Sequence, residues 1–454
     1  MSEWGNLDAL RRRFPRDFVW GVASSSYQIE GAAHADGKGE SIWDEFCRRP
    51  GAIADGSSGE VACDHYNRLE TDLDLLASLS VDAYRFSISW PRIQPTGAGA
   101  VNERGLDFYE RLVDGLLKRN IRPYATLYHW DLPAALQHEQ GGWASRDTAY
   151  RFRDYAGIVA RRIGDRIASF ATHNEPWVTA MLGYESGVFA PGIRDRAIAA
   201  QVSHHCLVSH GLAVQAIRAE RPAAPVGIVL NLSPVTHATK SAPDVAQAEL
   251  EDGLLVRWYM DALFTGAYPG DVLRHFGAGR PEVSTGDMAL IAQPLDFLGV
   301  NYYHPTIAHA GKPPSPATNG APTTDMGWEV APSGLTQLLT RLRRDYRLPP
   351  VFITENGAAY RDQLANGRVE DEDRRAYLEA HMHAAADALD AGVDLRGYFV
   401  WSLLDNFEWA SGFAKRFGLY FVDYATQARV PKRSAAWYAA LLAARRRVAA
   451  EGVR

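Results

Sequence analysis

Eight short apolar runs alternate along the chain with eight longer amphipathic stretches. The runs are of strand length and cover residues 18–25, 81–88, 121–128, 167–173, 226–231, 296–302, 351–355 and 395–403. The amphipathic stretches carry apolar residues at helical spacing and cover 65–79, 105–119, 147–164, 198–220, 247–264, 334–346, 370–391 and 434–449. Such alternation is typical of a parallel sheet with helical crossovers, and eight repeats of the unit predict a closed (β/α)8 TIM barrel.

A doubly wound open sheet is the alternative arrangement of the same elements. No predicted strand is followed by GxGxxG or GxxxxGK[ST], which removes the usual nucleotide site of that fold. The length of 454 residues could fill about three domains, but single barrels can exceed roughly 400 residues when their loops are enlarged. Because no repeat, charge block or linker marks a boundary, we expect one barrel domain over 1–454, with its core at about 14–450.

The links between these elements differ in length in a consistent way. Most links from a helix to the next strand are short, whereas several links from a strand to the next helix are long: 26–64, 174–197, 303–333 and 404–433. The stretch 265–295, before the sixth strand, is the exception. Barrel enzymes build their sites from loops at the carboxyl ends of the strands, so the long links predict a site at that end.

Composition and charge exclude several classes of protein. The 48 Lys and Arg against 54 Asp and Glu give a net charge of −6, which argues against bulk electrostatic binding to nucleic acid. No apolar run approaches the roughly 18 residues of a membrane span, and no apolar segment of signal-peptide type follows the arginines at 11–13. Cys47, Cys63 and Cys206 are odd in number and lack CxxC spacing, which favours reduced thiols over disulfides or zinc. We therefore expect a cytoplasmic enzyme.

Two glutamates end the fourth and seventh predicted strands. Glu175 is followed by Pro176, which keeps it out of helical geometry. Glu355 is followed by Asn-Gly, where Gly357 permits a sharp turn. Strands three apart in an eight-stranded barrel lie partly across its mouth, so the two carboxyls can face each other. A single Glu at a strand end more often caps a loop or pairs with an Arg. Two Glu at matching topological positions favour a catalytic role.

Facing carboxyls suit glycoside hydrolysis. One protonates the departing oxygen, and the other attacks the anomeric carbon or activates water. A separation of about 5–5.5 Å leads to retention of configuration, and a wider gap leads to inversion. The residues alone leave both outcomes open, because this distance cannot be read from the sequence.

Seven short segments occur in order along the chain: 27–31 (YQIEG), 84–90 (YRFSISW), 129–133 (HWDLP), 172–176 (THNEP), 301–303 (NYY), 353–357 (ITENG) and 401–409 (WSLLDNFEW). In this order the segments resemble the motifs of the family-one glycoside hydrolases, the β-glucosidase type. The resemblance covers nearly the whole chain, from residue 14 to residue 434. The segment 305–323 resembles no motif of this family, so the resemblance implies no particular leaving group.

The resemblance implies a retaining β-glycosidase with Glu175 as acid/base and Glu355 as nucleophile. Its substrate would be a β-glucoside or a short oligosaccharide such as cellobiose, with galacto and fuco sugars reacting to some degree. It implies no cofactor and no metal, and a cis peptide between Trp401 and Ser402. The sugar would be held by Gln28, His129, Asn174, Trp409 and Glu408, the last as a carboxylate that binds O4 and O6.

Further side chains are expected at the same mouth. Arg85, on the second strand, would keep Glu355 ionised by opposite-charge attraction. Tyr303, after the sixth strand, could donate a hydrogen bond to Glu355; a backbone partner is the alternative. His129 favours a sugar hydroxyl over a metal, because Asp131 and His138 lack a useful ligand spacing. The other candidates are Trp130, Asn301, Trp401 and Phe417 around the sugar, with Trp177 and Trp328 flanking the leaving group.

Three other functions fit parts of the sequence. A 6-phospho-β-glucosidase is the first, but the resemblance implies that such relatives carry Ser where Glu408 stands. A catalytically silent sugar-binding barrel would have lost one carboxylate, and neither Glu175 nor Glu355 is replaced. An aldolase-type barrel needs a Lys within or ending a strand, and none of the eight predicted strands offers one. A β-glucosidase acting in cellulose and polysaccharide degradation, without nucleic-acid or membrane partners, remains the expectation.

Overall fold

The computed structural model describes Trp4 and residues 7–451, and side chains as far as residue 443. Eight parallel strands of this part of the chain form a closed barrel: β1 (Val19–Ala23), β2 (Ala83–Ser87), β3 (Arg122–Tyr128), β4 (Ser169–Asn174), β5 (Val226–Asn231), β6 (Phe297–Asn301), β7 (Val351–Asn356) and β8 (Leu395–Trp401). The predicted (β/α)8 barrel is therefore confirmed.

The barrel helices follow the strands in the predicted order. They are α1 (Leu69–Ser78), α2 (Glu103–Lys118), α3 (Arg146–Ile163), α4 (Arg196–Glu220), α5 (Ala242–Asp252), α6 (Pro332–Asp345), α7 (Glu372–Asp390) and α8 (Arg433–Glu451). The predicted fifth helix at 247–264 is divided, because α5 passes through a π-helical stretch, Gly253–Arg257, into a further helix, Trp258–Thr265.

Shorter elements lie in the connections. The short helices are Leu7–Arg12, Ser26–Ile29, Ile42–Cys47, Trp90–Ile93, Ala134–Gln140, Gly270–Phe276 and Asp287–Ile291, with a π-helical stretch at Val178–Glu185. The 3-10 turns are Ala35–Gly37, Gly142–Ala144, Gly277–Gly279 and Trp409–Ser411. Two-stranded ladders join Val235–His237 to Thr306–Ala308, Leu364–Ala365 to Arg368–Val369, and Tyr420–Asp423 to Ala428–Pro431.

Each barrel strand pairs with its neighbours in the sequence, and β1 pairs with β8 to close the barrel. The closing register runs from Val19 opposite Gly397 to Ala23 opposite Trp401. Because all strands are parallel, their carboxyl ends meet at one face of the barrel. The long links that the sequence indicated therefore lie together over that face.

The barrel helices α3, α4 and α5 each begin with a side-chain cap. Ser145 caps α3 by accepting a hydrogen bond from the backbone N–H of Asp147. Asp195 caps α4 by accepting from the backbone N–H groups of Ala197 and Ile198. The buried face of α2 shows the helical spacing that the sequence predicted: Leu106, Tyr109, Leu112, Val113 and Leu116.

Aromatic side chains fill the inside of the barrel. The rings of Tyr124 and Phe399 lie 5.1 Å apart, and those of Phe297 and Phe352 lie 5.7 Å apart. Gly21 leaves the space that Phe399 occupies, since a Cβ at Gly21 would lie 2.4 Å from that ring. The interior below the mouth is therefore a packed core and not a pore.

A buried ionic network joins the long loop 404–433 to the loop after β7 and to α7. Asp405 pairs with Lys432 at 2.6 Å and with Arg416 at 2.6 Å. Lys432 also contacts Asp362, which Arg374 binds at 2.8 Å. Since Asp405 directly precedes the segment 406–409, the network fixes the loop that carries the predicted sugar-binding residues Glu408 and Trp409.

All three cysteines lie in the described part of the chain, and each is a free thiol. Among the described residues, no helix has both the length and the apolar character needed to cross a membrane.

Gly357 lies directly after β7, where the backbone of Trp401 passes very close to it. A Cβ at Gly357 would lie 1.8 Å from the carbonyl oxygen of Trp401. We expect Gly357→Ala to lower the free energy of unfolding by about 1–3 kcal/mol, because backbone on both sides must move. Gly270→Ala is the matched control, since the nearest atom to its Cβ would be a side-chain nitrogen of Arg274 at 3.5 Å. Equal denaturation midpoints for the two variants would contradict this expectation.

Candidate active site

A cavity of about 390 Å³ opens at the carboxyl ends of the barrel strands. Twelve of the fifteen site residues predicted from the sequence line it: His129, Trp130, Glu175, Trp177, Asn301, Tyr303, Trp328, Glu355, Trp401, Glu408, Trp409 and Phe417. The other three, Gln28, Arg85 and Asn174, are buried and hydrogen-bond residues of this lining. The structure thus brings all fifteen to one place.

Glu355 ends β7 with both carboxyl oxygens engaged. Nη1 of Arg85 donates to Oε1 at 2.6 Å, and the hydroxyl of Tyr303 donates to Oε2 at 2.6 Å. Arg85 reaches this position from the inward face of β2 and is 3% exposed, as is Glu355. A buried guanidinium and carboxylate at this distance form a charge-assisted hydrogen bond, one of the stronger kinds in proteins.

Glu175 follows β4 in a different environment. Its backbone has a φ of +50°, and its N–H donates to the carbonyl of Val229 at 2.9 Å. Nδ2 of Asn301 donates to Oε1 of Glu175 at 2.6 Å. Burial, and next the nearby charge of Glu355, raise the pKa of Glu175 to about 8. One of the two carboxyls is thus held protonated at neutral pH while the other is ion-paired to Arg85.

Three polar side chains connect the two glutamates behind the pocket. Oδ1 of Asn174 accepts hydrogen bonds from Arg85 at 2.7 Å and from Asn301 at 3.0 Å. Asn174 donates through Nδ2 to Nε2 of His129 at 3.2 Å. Burial, and then the charge of Arg85, lower the pKa of His129 well below its ordinary value, so this ring is neutral.

Gln28 and Glu408 lie in the loops after β1 and β8, whereas Glu175 follows β4. Gln28 donates to Oδ1 of Asn406 at 2.9 Å and to the carbonyl of Phe407 at 2.8 Å, with a longer contact of 3.5 Å to Glu408. Burial, and then Glu355, raise the pKa of Glu408 to about 8. The group is therefore protonated at neutral pH in this structure, whereas the sequence indicated a carboxylate, because its full burial was not evident.

Aromatic rings form the remaining walls. The ring of His129 stacks on Trp401 at 5.8 Å and on Trp409 at 5.9 Å, and Trp130 contacts Trp409 at 4.6 Å. The Trp401–Ser402 peptide is cis, as the resemblance implied. Further out, Trp328 packs on Tyr303 at 5.3 Å and on Phe417 at 6.1 Å.

Part of the pocket lining is not indicated by the sequence. These further lining residues include Val178, Leu182, Phe189, Asn231, Leu232, Ser233, Glu251, Leu255, His304 and Met326. Most lie in loops or in the π-helical stretch, where no motif or periodicity marks them. Asn231 is different, because it ends β5, and its strand-end position was a usable signal.

The arrangement contains the parts of an acid/base and nucleophile pair. Among the residues that the structure describes, no group of three or more His, Cys, Asp or Glu is placed to hold a metal ion. The polar side chains that line the pocket carry carboxyls, amides, neutral imidazoles, hydroxyls and a phenol, which are suited to hydrogen bonding of hydroxyl groups.

The sequence profile of glycosyl hydrolase family 1 matches residues 10–447. The chain therefore belongs to this family and is a glycoside hydrolase. It is 47% identical over 442 residues to a β-glucosidase from Agrobacterium sp. (strain ATCC 21400), covering 96% of both chains. It is 43% identical over 459 residues to a bifunctional β-D-glucosidase/β-D-fucosidase from Bifidobacterium breve, covering 95% of this chain and 98% of that one. The structure of the virulence factor SghA from Agrobacterium tumefaciens is similar with a TM-score of 0.93 and 47% identity, covering 96% of this chain and 99% of that one.

The raised pKa of Glu175 predicts a pH-dependent contribution to stability. The folded protein holds this proton up to a pH of about 8, whereas the unfolded chain releases it near its ordinary value, so stability falls as pH rises between these values. The substitution Glu175→Gln removes this pH-dependent contribution to the free energy of unfolding. We expect its free energy of unfolding, relative to the wild type, to increase by a few kcal/mol between about pH 5 and pH 9.

Denaturant titrations at several pH values measure this difference. Glu139→Gln, which alters an exposed glutamate outside the pocket lining, is the control and should leave a nearly constant difference from the wild type. A difference for Glu175→Gln that stays flat, or that falls with rising pH, would show that Glu175 is not held protonated by the fold.

Proposed function

We propose that this glycoside hydrolase is a retaining β-glucosidase. It would release the terminal non-reducing β-D-glucosyl residue from β-glucosides and short oligosaccharides such as cellobiose. The observation that carries this proposal is the pair of unlike carboxyls, with Glu175 buried and protonated and Glu355 bound to Arg85. A protonated acid beside an ion-paired carboxylate suits glycoside hydrolysis, and membership of the family supports retention by double displacement.

In the first step, Glu355 attacks the anomeric carbon and Glu175 gives its proton to the glycosidic oxygen. The bond from the anomeric carbon to the leaving oxygen breaks as the bond to the Glu355 carboxylate forms. Loss of the negative charge on Glu355 lowers the pKa of Glu175, since that charge helped to raise it. Glu175 then accepts a proton from water, whose oxygen attacks the anomeric carbon and frees Glu355.

The glycone is proposed to lie between these glutamates and the loops after β1, β3 and β8. Gln28, Glu408 and His129 would bind its hydroxyls, and Trp401 and Trp409 would present ring faces to its C–H groups. Asn174 and Asn301 fix the positions of the two catalytic carboxyls relative to each other, and both amides can also contact the sugar. A protonated Glu408 can both donate and accept, which permits either orientation at O4. Galactosides and fucosides should therefore react to some degree, as the name of the Bifidobacterium breve relative supports.

The remaining expectations are part of the same proposal. We infer that residues 1–454 form one catalytic domain, that the enzyme acts in the cytoplasm, and that its glucosides derive from cellulose and other polysaccharides. The family match over residues 10–447 supports the single domain, and the three free thiols support a reducing compartment.

The two half-reactions can be separated with Glu175→Gln. This variant lacks the acid and the later base but keeps the nucleophile. A substrate with a good leaving group, such as 2,4-dinitrophenyl β-glucoside, should still glycosylate Glu355 and then stall, because water attack lacks a base. Stopped-flow measurements are expected to show a burst of phenolate, and added azide should restore turnover.

Glu355→Gln is the paired variant and should show neither burst nor azide rescue of this kind, with kcat/KM lowered by several orders of magnitude. A Glu355→Gln enzyme that keeps most of the wild-type activity would overturn the assignment. Wild-type protein that binds glucosides without cleaving them would instead identify a silent sugar-binding barrel.

Comparison of 4-nitrophenyl β-glucoside with its 6-phosphate tests the choice of glycone. A phosphate would bring about two negative charges into a pocket whose described lining includes no Lys or Arg, so the anion would lose water without gaining a charged partner. Lys415 is bound to Asp325 and so is not poised to receive it. We expect kcat/KM to favour the unphosphorylated substrate at least about a hundredfold, or roughly 2.7 kcal/mol. Parity or the reverse preference would point to a 6-phospho-β-glucosidase.

A further inference from the structure

Thr354 directly precedes Glu355 on β7 and has no part in the mechanism proposed above. The pairing of β6 with β7 shifts at this point: Val300 lies opposite Ile353, but the next residue, Asn301, lies opposite Glu355. Thr354 is therefore an extra residue on β7, a β-bulge, and bulges redirect side chains. Thr354 and Glu355 both reach side chains at the mouth, although neighbouring residues of a regular strand point to opposite faces.

The hydroxyl of Thr354 donates a hydrogen bond to Oδ1 of Asn301 at 2.7 Å. Both side chains are buried, and among the described residues Thr354 is the one partner of this oxygen. The methyl group of Thr354 lies over Gly299, where a Cβ would come within 2.9 Å of it. Packing therefore holds the hydroxyl against the oxygen end of the Asn301 amide.

The nitrogen end of the same amide faces the proposed acid/base. Nδ2 of Asn301 donates to Oε1 of Glu175 at 2.6 Å and to Oδ1 of Asn174 at 3.0 Å. This oxygen of Asn174 also accepts at 2.7 Å from Arg85, which can only donate, so its identity as an acceptor is fixed. Two contacts thus set the orientation of the Asn301 amide: Asn174 on the nitrogen side and Thr354 on the oxygen side.

The orientation of this amide decides which oxygen of Glu175 holds the proton. Because Oε1 accepts a hydrogen bond from Asn301, the proton of the neutral acid lies on Oε2. No described residue hydrogen-bonds Oε2, and Glu175 lines the cavity, so this proton is available to a substrate. A turned amide would present Oδ1 to Glu175 and accept a proton from Oε1, where the proton is engaged by the protein.

We propose that Thr354 is a positioning residue for the acid/base, which acts through Asn301 to place the proton of Glu175 on Oε2. Without the hydroxyl of Thr354, only the contact with Asn174 opposes the turned orientation of the amide. This inference rests on the proposed β-glucosidase function, and it adds a residue that serves the acid from the strand of the nucleophile.

Thr354→Val removes the hydroxyl and keeps the shape of the side chain. Protonation of the leaving group matters little for 2,4-dinitrophenyl β-glucoside and much for phenyl β-glucoside, because phenolate is the far poorer leaving group. We expect Thr354→Val to lower kcat/KM about tenfold for the phenyl substrate and less than about twofold for the dinitrophenyl substrate. A purely structural role would lower both values alike.

The pH profile gives a second readout. A hydrogen bond from Nδ2 of Asn301 favours the ionised form of Glu175, whereas a turned amide that accepts the proton favours the neutral form. The basic limb of kcat/KM for phenyl β-glucoside should therefore move to higher pH in Thr354→Val, by roughly half a unit or more. The charged groups that act on Glu175 are Glu355, Arg85 and Glu408. The substitution changes none of them.

Two further variants separate the hydroxyl from the packing. Thr354→Ser keeps the hydroxyl and should retain most of the wild-type substrate ratio and the wild-type basic limb. Thr126→Val is the matched control, since Thr126 is a buried threonine on β3 whose hydroxyl has no hydrogen-bond partner among the described residues. Removal of that hydroxyl should leave the substrate ratio and the basic limb unchanged.

Neutron diffraction from crystals of the wild-type protein at neutral pH locates the same hydrogens without a variant. We expect one deuterium on Oε2 of Glu175, the amide deuteriums of Asn301 directed at Glu175 and Asn174, and the hydroxyl deuterium of Thr354 directed at Asn301. An Asn301 oxygen that faces Glu175, or a deuterium on Oε1, would overturn the inference.

Failure of the inference is distinct from failure of the proposed function. If the wild type cleaves both glucosides and Thr354→Val lowers both rates alike, or changes neither, Thr354 does not serve the acid and the β-glucosidase proposal stands. A Thr354→Ser enzyme that behaves like Thr354→Val would also contradict the role of the hydroxyl. If the wild type cleaves neither glucoside, both proposals fall.

Discussion

The geometry of the site depends on the guanidinium of Arg85. One of its nitrogens binds Glu355 at 2.6 Å and another binds Asn174 at 2.7 Å, and the side chain is almost wholly buried. Asn174 in turn accepts from Asn301, which donates to Glu175. Removal of Arg85 would leave a carboxylate buried without its partner, a change that typically costs about 3–5 kcal/mol. The raised pKa of Glu175 fits this arrangement, because Glu175 is buried close to the charge of Glu355.

The barrel supplies the rigidity that this arrangement needs. Arg85, Asn174, Asn301 and Glu355 come from four different strands, and the closed sheet places the ends of these strands at one face. Loops alone would not hold charged groups within a few tenths of an ångström. Where a loop does carry proposed binding residues, at 406–409, the buried network around Asp405 and Lys432 anchors it.

Much of the fold and the inner part of the site could be predicted from the sequence, for physical reasons. Buried parallel strands are continuous apolar runs, and β5 was predicted with the same ends as the structure shows, Val226–Asn231. Strand-end residues point to the mouth by topology, which is why the sequence indicates Glu175 and Glu355 as site residues. Effects that depend on contacts between distant segments leave no such signal. The raised pKa of Glu408 results from burial, and the contact of His304 with Trp328 depends on the fold.

The central claim is that Glu355 forms a covalent bond to the sugar during turnover. Incubation with a 2-deoxy-2-fluoro-β-glucosyl fluoride, which slows hydrolysis of the intermediate, followed by mass spectrometry of the digested protein, tests it most directly. The account predicts one fluoroglucosyl group per chain, attached to the peptide that contains Glu355, and its absence from Glu355→Gln. Attachment to another residue, or continued turnover of the reagent with no labelled peptide at any time, would contradict it.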